Sequence, residues 1–299
     1  MTTEYKGSTF DPYSNLYNKE VFTKLRELFL DSNVEADNFR FLMYLLSTTT
    51  NSFPKERLFC QLIGHGSNGK SMLISLHKNA VKDLMKLVPM DIIEQKVKID
   101  RETILNTQTC TTMLCEDLRP VRGSSDIVKI KNLIDETILY NNNTNKQTII
   151  FHPKCHYFMD SNYMHRITNT RQNNDLLKYV KYIHFRVTFV NTNMYNNKFV
   201  NYTNDLNLYK QNPVGDKPML EYKIVDRNMF TTWVYDPAVI SSYLEILNVF
   251  YEILEKKYVG SLLLALDTLT EQNTKHPNNE ETIDDSWNQF IKDWQQYCL

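Results

Sequence analysis

The chain has 299 residues, 42% of them hydrophobic and 23% charged, enough to bury the core of one large or two small domains without staples. A formal net charge of -1 excludes a generally basic nucleic-acid coat, so any contact with nucleic acid must come from a few locally placed cations. The cysteines, Cys60, Cys110, Cys115, Cys155 and Cys298, are odd in number and form no CxxC pair, so they read as buried free thiols in a reducing compartment rather than a disulfide framework.

In chain order, Val21, Phe22, Leu25, Leu28 and Phe29, then Phe39, Leu42, Tyr44, Leu45 and Leu46, recur at helical spacing and predict two helices over residues 18–48. A polar linker, TTTNSFPKER, follows. The apolar run LFCQLI predicts a strand, and a helix is expected from Lys70. TTMLCE predicts the next strand, residues 127–134 a helix, and HYFMD and YIHFRV two more strands. Strands separated by helical stretches, with a glycine bend after the first, imply an α/β fold on a largely parallel sheet. ETILYNNNTNKQTIIF holds two β-branched runs around a polar turn and predicts a hairpin over residues 136–151. Beyond Val190 the chain turns polar and irregular, becomes helical through VISSYLEILNVFYEILEKKY, and closes on SWNQFIKDWQQYC; the intervening TEQNTKHPNNEETIDD reads as a solvated linker. No apolar run approaches membrane-spanning length and the N-terminus has no signal-peptide character, so the expectation is an intracellular protein without membrane contact.

The bend after the first strand, Gly64, His65, Gly66, Ser67, Asn68, Gly69, Lys70 and Ser71, has the spacing GxxxxGK[ST]. A nucleotide's β and γ phosphates need backbone N–H groups at close range, which glycine permits, and a helix N-terminus adds partial positive charge. Lys70 would bridge the phosphates and the Ser71 hydroxyl would ligate Mg²⁺. Glu116 and Asp117 close the apolar run of TTMLCEDL, where one would hold the metal and the other orient water. Asn162, at the end of CHYFMDSN, offers a carboxamide to the water or the γ phosphate. His152, Cys155 and His156 are close enough to suggest zinc. However, Pro153 prevents a helical face, strand alternation splits Cys155 from His156, and no fourth ligand is adjacent.

FCQLIGHGSNGKS, TTMLCEDL, the stretch from KIKNLIDE to MDSNY, and DLLKYVKYIHFRVTF together resemble the superfamily 3 helicases, most of all the poxvirus-type primase-helicase NTPases of large DNA viruses. The likeness covers residues 40–190. It implies an AAA+-type P-loop NTPase core with flanking helical segments: an N-terminal helical collar over residues 1–54, the NTPase/helicase core over 55–190 and a C-terminal helical region over 191–299. It implies ATP and Mg²⁺ as cofactors, and a homo-oligomeric, usually hexameric, ring around single-stranded DNA. A separate primase or polymerase would be a partner, and the host cytoplasm or nucleus the location. Lys70 and Ser71 match Walker A, Glu116 and Asp117 the Walker B acids, and Asn162 the sensor. Lys146 is the candidate hairpin-tip contact with DNA, with Lys154 and His156 behind it. Lys178 stands where the family carries an arginine finger, and Arg171 or Arg186 could substitute. Lysine supplies charge without the bidentate fork, so a non-catalytic nucleotide- or DNA-binding scaffold stays open as the alternative.

Overall fold

The structure, a computed structural model, describes residues 16–29, 34, 36–51, 54–64, 67–88, 109–117, 124–134, 138–141, 148–151, 154–168, 174–190, 208–211, 220–224, 231–275 and 292. The chain opens with α1 (Leu16–Phe29) and α2 (Ala36–Asn51). α2 continues through the first four positions of the expected linker, Thr48 to Asn51, where Ser47, Thr48, Thr49 and Thr50 each donate a hydroxyl to the carbonyl three residues back. β1 (Phe59–Ile63) follows, then α3 (Lys70–Val81), a 3-10 turn over Lys82–Leu84, β2 (Met85–Leu87) and β3 (Thr112–Asp117). After β4 (Ser124–Asp126) and α4 (Ile127–Ile134), β5 (Ile138–Asn141) pairs antiparallel with β6 (Thr148–Phe151), which is the expected hairpin. β7 (His156–Ser161), β8 (Arg166–Thr168), a 3-10 helix over Asn174–Tyr179 and β9 (Val180–His184) complete the middle of the chain.

The central sheet is parallel throughout, in the order β2-β3-β7-β1-β9. β1 is buried at every position, as expected for a strand covered on both faces. Alternation along the strands sorts the side chains. Cys60, Leu62, Leu114, Phe158 and Ile183 face one apolar cluster with the helices, while Phe59, Met113, Cys115, Tyr157 and Met159 face another with Ile127 and Ile130 of α4. β4 pairs with β8, and β10 (Val187–Val190) lies beside β12 (Leu220–Ile224), which pairs with β11 (Leu208–Gln211).

α5 (Pro237–Tyr258) starts on a full N-cap, with Asp236 Oδ1 accepting from Ala238 N at 2.8 Å and Pro237 at the first helical position. It is long and apolar enough to span a bilayer by length and composition, which the sequence reading did not anticipate. Its Tyr243, Ile246, Leu247, Phe250 and Leu254 are nonetheless buried in the cluster that holds Phe22, Leu25, Tyr44 and Leu45. Phe250 stacks on Phe22 and meets Tyr44 edge-on. α6 (Leu262–Lys275) enters the stretch read from composition as a solvated linker. Its start is held by Glu56, whose carboxylate accepts from Ser261 Oγ at 2.7 Å and Leu263 N at 2.9 Å, a long-range anchor that local composition does not reveal. The cluster on this face draws residues from the N-terminal helices, the sheet and the C-terminal helices alike.

Candidate nucleotide site

All five strands of a parallel sheet deliver their C-terminal ends to one edge. There β1 runs into the glycine bend between Gly64 N, which donates to Ser161 O of β7 at 3.1 Å, and Ile63 O, which accepts from Phe185 N at 2.7 Å. The far end of the bend is tied down by Phe189 N donating to Ser67 O at 2.6 Å. Gly69, at φ +86°, caps α3 with no side-chain bond of its own, and a Cβ there would meet Phe189 Cε2 at 2.8 Å and Phe29 Cε1 at 2.9 Å. At Gly64 a Cβ would strike Asn68 and the Phe185 carbonyl. His65 and Gly66 lie outside the described residues.

Lys70, the first residue of α3, is 4% exposed. Its Nζ donates to Gly64 O at 2.5 Å and to Asn68 Oδ1 at 3.2 Å, and lies 3.6 Å from Asp160 Oδ1. Burial lowers the Lys70 pKa, partly offset by Asp160. Burial likewise raises the Asp160 pKa, opposed by Lys70 and reinforced by Glu116. Desolvation thus outweighs the mutual attraction on both partners, and at 3.6 Å the two groups do not form a tightly closed bridge.

The sheet register explains the acids. Glu116 of β3 pairs in register with Asp160 of β7, which pairs with Leu62 of β1, so the two carboxylates occupy one row beside the lysine. Glu116 is exposed and Ser71, one residue into α3, is exposed as well. Asp117 closes β3 in register with Ser161; its side chain lies outside what the structure describes. Asn162, half-buried, follows β7 directly. The turn it enters is fixed by Ser161 Oγ, which donates to Tyr163 O at 2.6 Å and accepts from Tyr163 N at 3.2 Å, and by His165 N, which donates to Gln61 Oε1 at 3.1 Å. The structure therefore gathers Lys70, Ser71, Glu116 and Asn162 at one edge. It adds Asp160, which sequence reasoning missed although it closes an apolar run just as Glu116 does.

The remaining candidates fall elsewhere. Lys178 is exposed, 5.0 Å from the Tyr179 ring centroid, and precedes β9, so the strand's whole length separates it from the glycine bend. Arg186 follows Phe185 and lies at the bend's own edge; Arg171 and Lys146 are outside the described residues. Lys154 is exposed at the start of β7, the opposite edge from Lys70. His156 corrects the expectation of a surface contact with DNA. It is fully buried, Nδ1 accepts from Leu58 N at 3.1 Å, and Nε2 lies 2.8 Å from Thr48 Oγ1. Thr48 gives its own proton to Leu45 O, so Nε2 carries the hydrogen and no ring nitrogen is left for a phosphate.

The fold and site define a mixed α/β protein with a parallel central sheet and a lysine-and-carboxylate cluster at its C-terminal edge. No protein-family model matches the chain, and no curated protein matches it in sequence. Among solved structures it is similar to an A-form apo structure of the NrS-1 C terminal region, with 14% identity, TM-score 0.45 and coverage of 76% of this chain and 44% of that one. A second apo structure of that region gives 13% and 0.46 over 76% and 45%, and another A form gives 13% and 0.43 over 75% and 44%. The chain thus spans less than half the length of these structures. At such identities and scores nothing about activity, substrate or partners passes from them to this chain.

Proposed function

We propose that the chain is an ATP-dependent helicase or translocase of superfamily 3 type, acting on single-stranded DNA as a homo-oligomeric ring in the replication of a large DNA virus. The observation that carries this is the row Glu116 and Asp160 beside buried Lys70, under a bend where neither Gly64 nor Gly69 has room for a side chain. The position of β7 between the strand of the glycine bend and the acidic strand supports an AAA+-type P-loop NTPase core. ATP and Mg²⁺ fit the donor set: a helix N-terminus whose cap residue, Gly69, has no side chain and whose Lys70 N is held at 3.3 Å by Asn68 Oδ1, an acceptor a phosphate oxygen can replace, with an exposed Ser71 hydroxyl and an exposed carboxylate. Mg²⁺, held by Ser71 with Glu116 or Asp117, would supply neutralisation of phosphate charge.

Lys70 neutralises the phosphates from within the bend, exchanging Gly64 O and Asn68 Oδ1 for phosphate oxygens as its acceptors. Glu116, exposed at the strand end, orients the attacking water and takes its proton as the bond to the γ phosphorus forms and the bond to the β-phosphate oxygen breaks. Asp160 holds the Lys70 ammonium in place, and the Asn162 carboxamide offers a hydrogen bond to the water or the γ phosphate. Lys178, a sheet's length from its own bend, serves the neighbouring subunit's γ phosphate. The lysine in place of an arginine there favours the second reading, a nucleotide- or DNA-binding scaffold without turnover. ATPase rate with and without single-stranded DNA, measured alongside native mass with ATP, separates the two. DNA-stimulated hydrolysis by a ring is expected, whereas nucleotide binding without turnover would select the scaffold.

A further inference from the structure

At the other end of α3, away from the glycine bend, the helix, the 3-10 turn, β2 and the turn before α5 enclose an open cleft of about 630 Å³. Lys78, Lys82 and Lys86 line it against a single carboxylate, Asp83. Lys86 Nζ lies 3.6 Å from Asp83 Oδ1, but Asp83 is fully exposed and its pairing is easily exchanged for a phosphate. Lys82 sits at φ +51°, in the left-handed region that favours glycine, and its N–H donates to Lys78 O as α3 ends.

Two apolar side chains face the same space. Tyr235 is 65% exposed, the one aromatic among the large exposed hydrophobics of the described residues, and Leu87 at the end of edge strand β2 is 57% exposed. The tyrosine does not dangle. Asn79 Nδ2 donates to Val234 O at 2.9 Å, Tyr235 N to Thr232 O at 3.1 Å and Asp236 N to Trp233 O at 3.2 Å, while Trp233 and Val234 are buried and Asp236 caps α5. The fold therefore spends two buried neighbours and three hydrogen bonds on holding a turn that presents an aromatic ring to solvent among cations.

We propose that this cleft is a further binding site for single-stranded nucleic acid, with a base stacked on Tyr235, Leu87 against its sugar or neighbouring base, and Lys78, Lys82 and Lys86 on the backbone phosphates. A flat exposed ring beside a row of ammonium groups is the pairing that single strands recruit, because their bases offer π-faces that a duplex keeps stacked inside. The site goes beyond the motor reading and requires no turnover: it lies at the opposite end of α3 from Lys70 and shares no residue with the nucleotide edge.

The test is fluorescence anisotropy of labelled oligo-dT, oligo-U and a duplex of equal length, titrated with salt and without nucleotide, on the full chain. Lys78→Gln/Lys82→Gly/Lys86→Gln should lower the slope of log affinity against log salt by about 2, since each phosphate contact to a single strand contributes about 0.7. Tyr235→Ala should weaken single-strand binding roughly tenfold with the slope unchanged, and the duplex should respond little to it. Loss on both the dT and the U arm supports the shared chemistry, and loss on one alone supports it for that sugar. Unchanged affinity and slope in both variants would overturn the proposal. So would retained oligonucleotide binding with a reduced native mass, which would make the cleft a contact between protein copies. Retained basal ATP turnover in both variants separates this outcome from any failure of the motor reading.

Discussion

The two ends of α3 present lysines in opposite ways. At the C-terminal edge of the sheet, Lys70 is buried, has fixed acceptors in Gly64 O and Asn68 Oδ1, and stands beside one of two carboxylates in register. At the other end, Lys78 and Lys82 are exposed around an exposed ring. A desolvated charge in a closed geometry selects one ligand shape and loses stability when its partner is removed. Exposed cations gain affinity from counterion release, tolerate substitution and depend on salt. One helix thus separates a site built for shape from a surface built for charge.

Between the edges lies a buried layer that locks α2 to the rest. Thr48 meets His156 of β7 at 2.8 Å and Thr49 meets His77 of α3 at 2.9 Å; His77 Nδ1 lies 3.1 Å from the Tyr243 hydroxyl of α5, and Thr111 Oγ1 donates to Thr49 O at 2.7 Å. Burial pushes both imidazoles down to about 3, so the folded state holds them neutral while the unfolded chain protonates near its ordinary value of 6.5. A folded pKa below the unfolded one stabilises the fold above pH 6.5, and this contribution is lost as pH falls from 6.5 toward 3. From pH 7 to pH 5 the two histidines should together remove roughly 4 kcal/mol of stability. Urea unfolding at both pH values checks this, and His156→Gln should halve the drop. An equal drop in that variant would mean the layer is not what acid attacks.

The contrast between the edges can be broken by a matched pair of substitutions. Asp160→Ala leaves the buried Lys70 ammonium without its neighbouring carboxylate and should cost about 2 kcal/mol, below the usual cost of breaking a buried pair because Asp160 is not fully enclosed. Lys82→Gly relieves a left-handed lysine and should stay within about 1 kcal/mol of wild type. Equal costs in denaturant would erase the distinction. As the smallest effect, Lys55→Ala removes an exposed bridge to Glu255, Nζ to Oε2 2.7 Å, and should change stability by less than about 1 kcal/mol in the same assay.

Much of this was legible in the chain. Helical spacing located α1 and most of α2, the apolar runs located four strands of the central sheet, β1, β3, β7 and β9, though not the three-residue edge strand β2, and GxxxxGKS located the bend, because each depends on neighbours within a few residues. What escaped depends on distant partners. Asp160 acquires its place only through register with Glu116 and the reach of Lys70. His156 looked like a surface cation beside a basic hairpin, and becomes a core hydrogen-bonding residue only once Thr48 and Leu58 are brought against it. The last turns of α6, from Thr270, are read as linker until Glu56, some two hundred residues before its start, is found anchoring the helix N-terminus. Tyr235 was silent because exposure of an aromatic is a property of the fold, not of its letters.

The central claim, that the cluster around Lys70 turns over ATP, is tested most directly by Lys70→Ala. Steady-state ATP hydrolysis with single-stranded DNA should fall by at least about 10³-fold in this variant, the order expected when a main electrostatic stabiliser is removed, while circular dichroism stays native. Hydrolysis at the wild-type rate by a folded Lys70→Ala protein would contradict the account.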